Sequence, residues 1–247
     1  MKKREAVILA PVMPVWDEGQ FCAPLVMLLV AKGYHVTVID TLTLIQDASP
    51  ERAVEALCQA LNARFQSPYL LVGFAMAGTL VQLLAPHLHG LSGVMSVSAP
   101  GFADEQLNRR LGELVSLLEK GELVSLLEKG EVEHAVDVLH QFVVPEGQAA
   151  QEGRFTLPDA AKASAIQRML TGFALLLNMD ARAAIARYNG KYLAIVGDKS
   201  QLASWENQTH STQPTHLYRR IPKAGMRPWN DNPAAMNALL NEWVDTL

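Results

Sequence analysis

The stretch "YLLVGFAMAGTLVQLLA", Tyr69 to Ala85, has the outline of a strand, a sharp turn and a helix. A turn of this kind presents a nucleophilic side chain for acyl transfer. Its apex residue is held in strained backbone geometry, and small residues two positions to either side let the helix pack closely on the strand. Gly73 and Ala77 occupy those two positions, and Gly78 adds room for the helix to approach. The apex is Ala75, whose methyl group cannot attack a carbonyl. Acyl transfer needs a hydroxyl, an imidazole to take and return its proton, and a carboxylate to orient that imidazole. The first of these is missing where the turn would present it.

Other chemistry-bearing residues are scattered. His87 and His89 lie two apart near a helix end, a poor spacing for sharing a metal, and read as capping or surface residues. His134 and His140 fall in a helical region, and His210 and His216 near late strands, with no grouped carboxylates or cysteines. No metal site and no cofactor is expected. Cys22 and Cys58 fit neither a disulfide framework nor a zinc spacing, which points to a reducing compartment.

The elements that must position these residues follow from composition and period. A chain of 247 residues, 49% hydrophobic and 19% charged, can bury a sizeable core within one large α/β domain. The formal net charge of -4, without blocks of like charge, gives no footprint for nucleic acid. The basic start and apolar run "MKKREAVILAPV" are broken by Pro11 and Pro14 and followed by Asp17 and Glu18, so a buried first strand fits better than a signal peptide. No apolar stretch reaches the roughly 20 residues of a membrane span. A soluble, cytoplasmic protein without a membrane partner is expected.

Short apolar runs then alternate with helical patterns. "AVILAPV", "HVTVID", "YLLVGF" and "LSGVMSVSA" read as strands, each continuous and without alternation, as where helices cover both faces, and "KYLAIVGD" and "THLYRRIP" resume the sheet later in the chain. Ser49-Pro50 marks a helix start, Gly33 a helix end, and "NPAAMNALLNEWVDTL" a last helix. Residues 102–185 are helical by period with no convincing strand. The spacing predicts a core of 1–101 and 186–247 with a helical cap of 102–185 over the strand carboxyl ends, where open α/β sheets place ligands. Inside the cap "GELVSLLEK" occurs at 112–120 and again at 121–129. Nine residues are two and a half helical turns, so an unbroken helix would turn the second apolar set to the opposite face. Gly121 offers a break, and a local duplication tolerated in a peripheral helix is the simplest account.

From about residue 6 to the C-terminus, this order of elements resembles the α/β-hydrolase superfamily, and the wording is similar to its pimeloyl-acyl-carrier methyl ester esterase branch. "LVGFAMAG" resembles the nucleophile elbow, "VMSVSAPGFADEQ" the strand leading into the lid, and "IPKAGMRPWNDNPAAMNALLNEWV" the final histidine loop and helix. The resemblance implies a mostly parallel sheet flanked by helices, with the cap inserted after the sixth family strand. It also implies that the family's serine, acid and histidine positions hold Ala75, Ser200 and Met226. A register shift could bring Asp198 into the acid's place. Where the family usually carries His-Gly after the first strand this chain has Pro11-Val12, and Pro11 lacks a backbone donor. Asp40 matches an aspartate that is usually structural.

By position, Val12, Met13, Trp16, Phe74, Met76 and Trp229 would surround the old catalytic centre and suit an acyl or aromatic ligand. A pocket left open and a pocket filled by these side chains are both compatible with the sequence. Three functions stay open: a pseudo-hydrolase that binds a small apolar or acyl-type ligand or a protein partner, an enzyme of non-standard chemistry or with relocated catalytic groups, and an accessory scaffold. The first is the preferred expectation.

Overall fold

Six short segments, most of them strongly apolar, form the sheet: β1 (Arg4–Leu9), β2 (Tyr34–Ile39), β3 (Tyr69–Phe74), β4 (Leu91–Val97), β5 (Tyr192–Gly197) and β6 (His216–Ile221). The structure is a computed structural model and describes residues 4–66, 68–124, 131–150 and 159–247. The strand order is β2-β1-β3-β4-β5-β6, and every pair is parallel. β3 and β5 are buried along their whole length, as continuous apolar runs demand. The edge strand β2 differs from that expectation. β2 and β6 are only partly buried, because each has a neighbour on one side alone.

Helices cover both faces of the sheet. Leu70 and Val72 of β3 point to the face packed by α1 (Ala23–Ala31) and α9 (Pro233–Val244), while Tyr69 and Leu71 point to the face packed by α2 (Pro50–Arg64) and α3 (Met76–Leu84). This alternation buries both sets of side chains, at about 25 cal/mol per Å² of apolar surface removed from water. Local signals set the helix ends. Ser49 Oγ accepts from the Arg52 amide at 3.3 Å with Pro50 in the first turn, and Asn232 Oδ1 accepts from the Ala235 amide at 3.2 Å with Pro233 beside it.

Between β4 and β5 the chain forms α4 (Glu105–Val124), α5 (Glu131–Val143), α6 (Asp159–Asn178) and α7 (Arg182–Arg187). It departs and returns at one point. Phe102 and Asp180 make an isolated antiparallel bridge, and the Ala181 amide donates to the Gly101 carbonyl at 2.7 Å. α4 lies against α5 and α6, α6 reaches α3, and α7 packs on α3. The boundary expected at 185 therefore falls inside α7, a helix of the layer on the sheet. The first "GELVSLLEK" copy lies in α4, which runs through Gly121 to Val124, so the break offered at Gly121 does not occur. Residues 125–129 of the second copy lie outside the described residues.

Candidate functional site

The strand-to-helix turn is built by steric necessity. Ala75 has φ 47° and ψ -120°, a region that L-residues rarely adopt, and its amide donates to the Val97 carbonyl at 3.0 Å. A Cβ on Gly73 would stand 2.2 Å from the Ala77 carbonyl oxygen, and one on Gly78 would stand 2.4 Å from Ala99 Cβ. Only hydrogen fits at either place. α3 is locked to the start of α4's approach by Thr79 and Gln82, both of which donate to the Pro100 carbonyl, at 2.7 and 3.3 Å. From Tyr69 to Gln82 every residue is buried except Ala75, which is half-buried. The strained apex thus faces the open side of the turn.

The loops after β5 and β6 meet beside it. Ser200 Oγ donates to Met226 Sδ at 3.0 Å. The Met226 amide donates to the Val143 carbonyl at the end of α5, at 3.0 Å, so α5 fixes the loop that carries the thioether. Asp198 is exposed, and its amide is spent on the Ile221 carbonyl at 3.0 Å. Ser200, rather than Asp198, is the residue that reaches position 226. A hydroxyl and a thioether supply neither a base near pH 7 nor a charge to orient one.

These turns surround a cavity of about 600 Å³, within the range of small-molecule sites. Of the residues expected around it, Val12, Met13, Phe74, Met76 and Trp229 line it, together with Ala75 and Met226. Trp16 does not. Its ring lies 6.5 Å from that of Phe21, which does line the cavity, so Trp16 backs the wall instead of forming it. Phe74 meets Phe21 edge-on at 5.2 Å and Trp229 at 5.5 Å, which makes a rigid aromatic floor.

The loop after β1 is held from above by α6. Arg168 donates through Nε to the Met13 carbonyl at 3.1 Å and through Nη2 to Asp40 Oδ1 at 2.8 Å. One turn on, a Cβ at Gly172 would lie 2.4 Å from Val12 Cγ2. Asp40 thus has the structural part expected of it, and its partner comes from a helix 128 positions away in sequence.

Ser98 and Arg227, which the sequence did not single out, line the cavity, and so does His140, which the sequence offered only as a helical-region histidine outside any ligand pattern. Ser98 is 1% exposed with φ 49°, and its Oγ has no hydrogen-bond partner. Its place at the carboxyl end of β4 was the available signal, since ligands of open parallel sheets bind there. His140, on α5, is pushed below the ordinary histidine range by burial and by the Arg227 guanidinium, with Asp137 acting in the opposite direction. Its imidazole is therefore neutral near pH 7. Arg227 is exposed. Among the described residues no three His, Cys, Asp or Glu side chains are grouped to hold a metal ion, and no helix is long and apolar enough to cross a membrane.

No protein-family model matches the chain, and no curated protein sequence matches it. Solved structures do match over nearly the whole length. A bromoperoxidase from Bacillus anthracis superposes with a TM-score of 0.73 at 16% identity, over 98% of this chain and 92% of that one. An esterase from Exiguobacterium antarcticum gives 0.70 at 11% identity, over 99% and 93%. An α/β-hydrolase enzyme from a Medee basin deep-sea metagenome library gives 0.72 at 12% identity, over 99% and 90%. With the six-stranded parallel sheet and its flanking helices, these likenesses establish the α/β-hydrolase fold; at such identities they carry the fold alone.

Proposed function

We propose that this α/β-hydrolase-fold chain is a non-hydrolytic binding protein whose cavity holds a small apolar, acyl-type ligand. The observation that carries the reading is the coincidence of two features. A cavity of about 600 Å³ is open beside the strained turn with Ala75 and Met226 on its wall, and Ser200 reaches it only through its hydrogen bond to Met226. On this reading the geometry for presenting a nucleophile remains while the nucleophile, base and acid do not, and most of the wall is made of Phe, Met, Leu, Val, Pro and Trp side chains, with Asp17, Gln20, Ser98, His140, Arg227 and Asn230 the polar ones. The degenerate triad and the likeness to the pimeloyl-acyl-carrier esterase branch belong to this proposal. So does a cap role for α4 to α6, supported by the contacts of Arg168 and Val143 with the loops below.

The test is hydrolysis of p-nitrophenyl acetate and butyrate by the purified protein, alongside binding of an apolar aromatic probe. Binding without turnover above the buffer rate supports the reading. Robust turnover retained through repeated purification overturns it.

A second reading, an enzyme with relocated groups, is favoured by one observation: the Ser98 hydroxyl and a neutral His140 both line the cavity. Labelling by a serine-directed phosphonate that maps to Ser98 would favour it over the first.

A further inference from the structure

We infer, independently of the binding reading above, that two copies of this chain associate through the outer faces of α1 and α9, with α1 of each copy lying on α9 of the other.

The helix α1, APLVMLLVA from Ala23 to Ala31, contains no polar side chain. A helix that is apolar all round is expected to be covered all round, yet this chain covers only one side of it. Leu25 and Leu29 are buried against the sheet, while Ala23, Pro24, Met27, Val30 and Ala31 are exposed. Met27 is 72% exposed and Val30 56%, and among the described residues Val15 is the only other exposed large hydrophobic side chain. α2, on the opposite face of the sheet, shows the usual arrangement, with Glu51, Glu55, Gln59 and Asn62 on its exposed side. The two helices cover the same sheet, but only α1 is left with an apolar outer face.

Whatever covers that face must be uncharged and must have room for the Met27 side chain. α9 meets both needs and lies beside α1. Lys32, just past the end of α1, pairs with Asp245, just past the end of α9, and donates to the Asn241 carbonyl at 3.4 Å. The exposed residues along α9 are Pro233, Ala234, Asn237, Ala238, Asn241 and Glu242, small or neutral except for the last. Ala234 and Ala238, four apart on one side of the helix, leave a shallow recess, and an unbranched, flexible methionine is suited to fill one. A twofold axis between α1 and α9 lays each α1 on α9 of the other copy, so the same patch is used twice and the assembly closes at two. Charge argues against an anionic lipid surface as the occupant. Glu18 and Glu242, at the border of the face, are acidic, and Lys32 is tied to Asp245. Helices of 9 and 12 residues, each about 10 Å across and rising about 1.5 Å per residue, present a face of roughly 20 by 15 Å, the low end for a specific interface. Micromolar association is therefore expected.

Sedimentation velocity of the full chain at about 1–200 µM is the test, and the parent should pass from monomer to dimer within that range. Met27→Glu and Ala238→Lys, both at exposed positions, should each weaken association at least about tenfold, because each buries an unpaired charge at the interface. Combined in one chain they should recover most of that loss, since each new carboxylate then faces a new ammonium across the interface. Gln59→Glu, on the exposed side of α2, should leave the dimer unchanged. Thermal denaturation of every variant certifies that it is folded. A parent that stays monomeric throughout overturns the inference, including the case in which it instead cosediments with phosphatidylcholine vesicles. So does a dimer that neither single variant weakens, and so does a double variant no better than the single ones, which would place α1 against something other than α9.

Discussion

Ser200 Oγ and Met226 Sδ lie 3.0 Å apart, a contact between side chains 26 positions apart that ties the loop after β5 to the loop after β6. The two loops meet around a hydroxyl and a thioether. The backbone that brings the two positions together is held by other bonds, notably Met226 N–H to the Val143 carbonyl and Lys199 N–H to the Ala224 carbonyl at 2.9 Å. Their side chains can therefore change without the loops parting.

The pair Arg168–Asp40 should be worth measuring as a unit. Their side chains are 19% and 11% exposed, and Arg168 also holds the Met13 carbonyl. Arg168→Met removes both bonds and leaves a mostly buried carboxylate unpaired, so chemical denaturation should show a loss of about 1–3 kcal/mol. Asp40→Asn should cost less. In the double variant the costs should fall short of their sum by roughly 0.5–3 kcal/mol, the mark of direct coupling. Strict additivity would mean the pair contributes nothing to stability.

Burial dominates His216. The ring is 7% exposed, stacks on Tyr188 at 5.9 Å and meets Tyr192 edge-on at 5.3 Å. Burial lowers its pKa below the ordinary histidine value, against smaller raising contributions from the backbone at Tyr188 and Gly190. The unfolded chain then binds the proton more readily, so this stabilising contribution is fully present above about pH 6.5 and is lost as pH falls below it. Stability measured by urea denaturation from pH 7.5 to 5 should fall less steeply in His216→Phe than in the parent. A residual slope should remain from His140, whose pKa is also lowered. Equal slopes in the two proteins would show that His216 is protonated without cost.

Two glycine exchanges should move stability in opposite directions. A Cβ at Gly78 meets Ala99 Cβ at 2.4 Å and the Gly73 carbonyl oxygen at 2.9 Å, so Gly78→Ala should cost about 1–3 kcal/mol through overpacking. At Gly112, in α4, nothing lies within 4 Å of the added atom, and Gly112→Ala should gain about 0.5–1 kcal/mol from helix propensity. Thermal denaturation of both variants decides the matter, and a stabilised Gly78→Ala would mean the turn is looser than the contacts imply.

What could be read in advance was whatever local sterics decide. β3 was legible residue for residue because its short apolar run is bounded by turn residues and followed by a helical pattern, and the turn at Ala75 because small residues at 73, 77 and 78 allow the close strand-to-helix packing that the structure shows. The helix start at Ser49-Pro50 was legible for the same reason. Trp16 was misplaced because its contact with Phe21 depends on how the loop after β1 folds back, which no period encodes. The Arg168 clamp and the Ser98 conformation were invisible in principle: one joins residues 128 positions apart, and the other is a positive φ forced on a serine by neighbouring strands. The unbroken run of α4 through Gly121 has the same lesson. A glycine inside a helix costs about 1 kcal/mol, and packing against α5 and α6 offsets it.

Ala75→Ser, Ser200→Asp and Met226→His introduced together should create slow acylation by an activated ester, whereas Ala75→Ser alone should not. The backbone already supplies the conformation a serine would need, since φ 47° and ψ -120° at position 75 are held by Gly73, Gly78 and the Val97 carbonyl. The 3.0 Å contact between positions 200 and 226 brings the new carboxylate within reach of the new imidazole. A serine without that imidazole keeps its proton near neutral pH and is a poor nucleophile. Rate will be limited by placement, because an error of about 1 Å costs roughly 100-fold, and by Pro11, which removes a donor from the loop after β1. Single-turnover labelling followed by mass spectrometry should find the acyl group on residue 75 in the triple variant only. Equal labelling of the single variant would mean that another group, with His140 the first candidate on the cavity wall, already acts as a base.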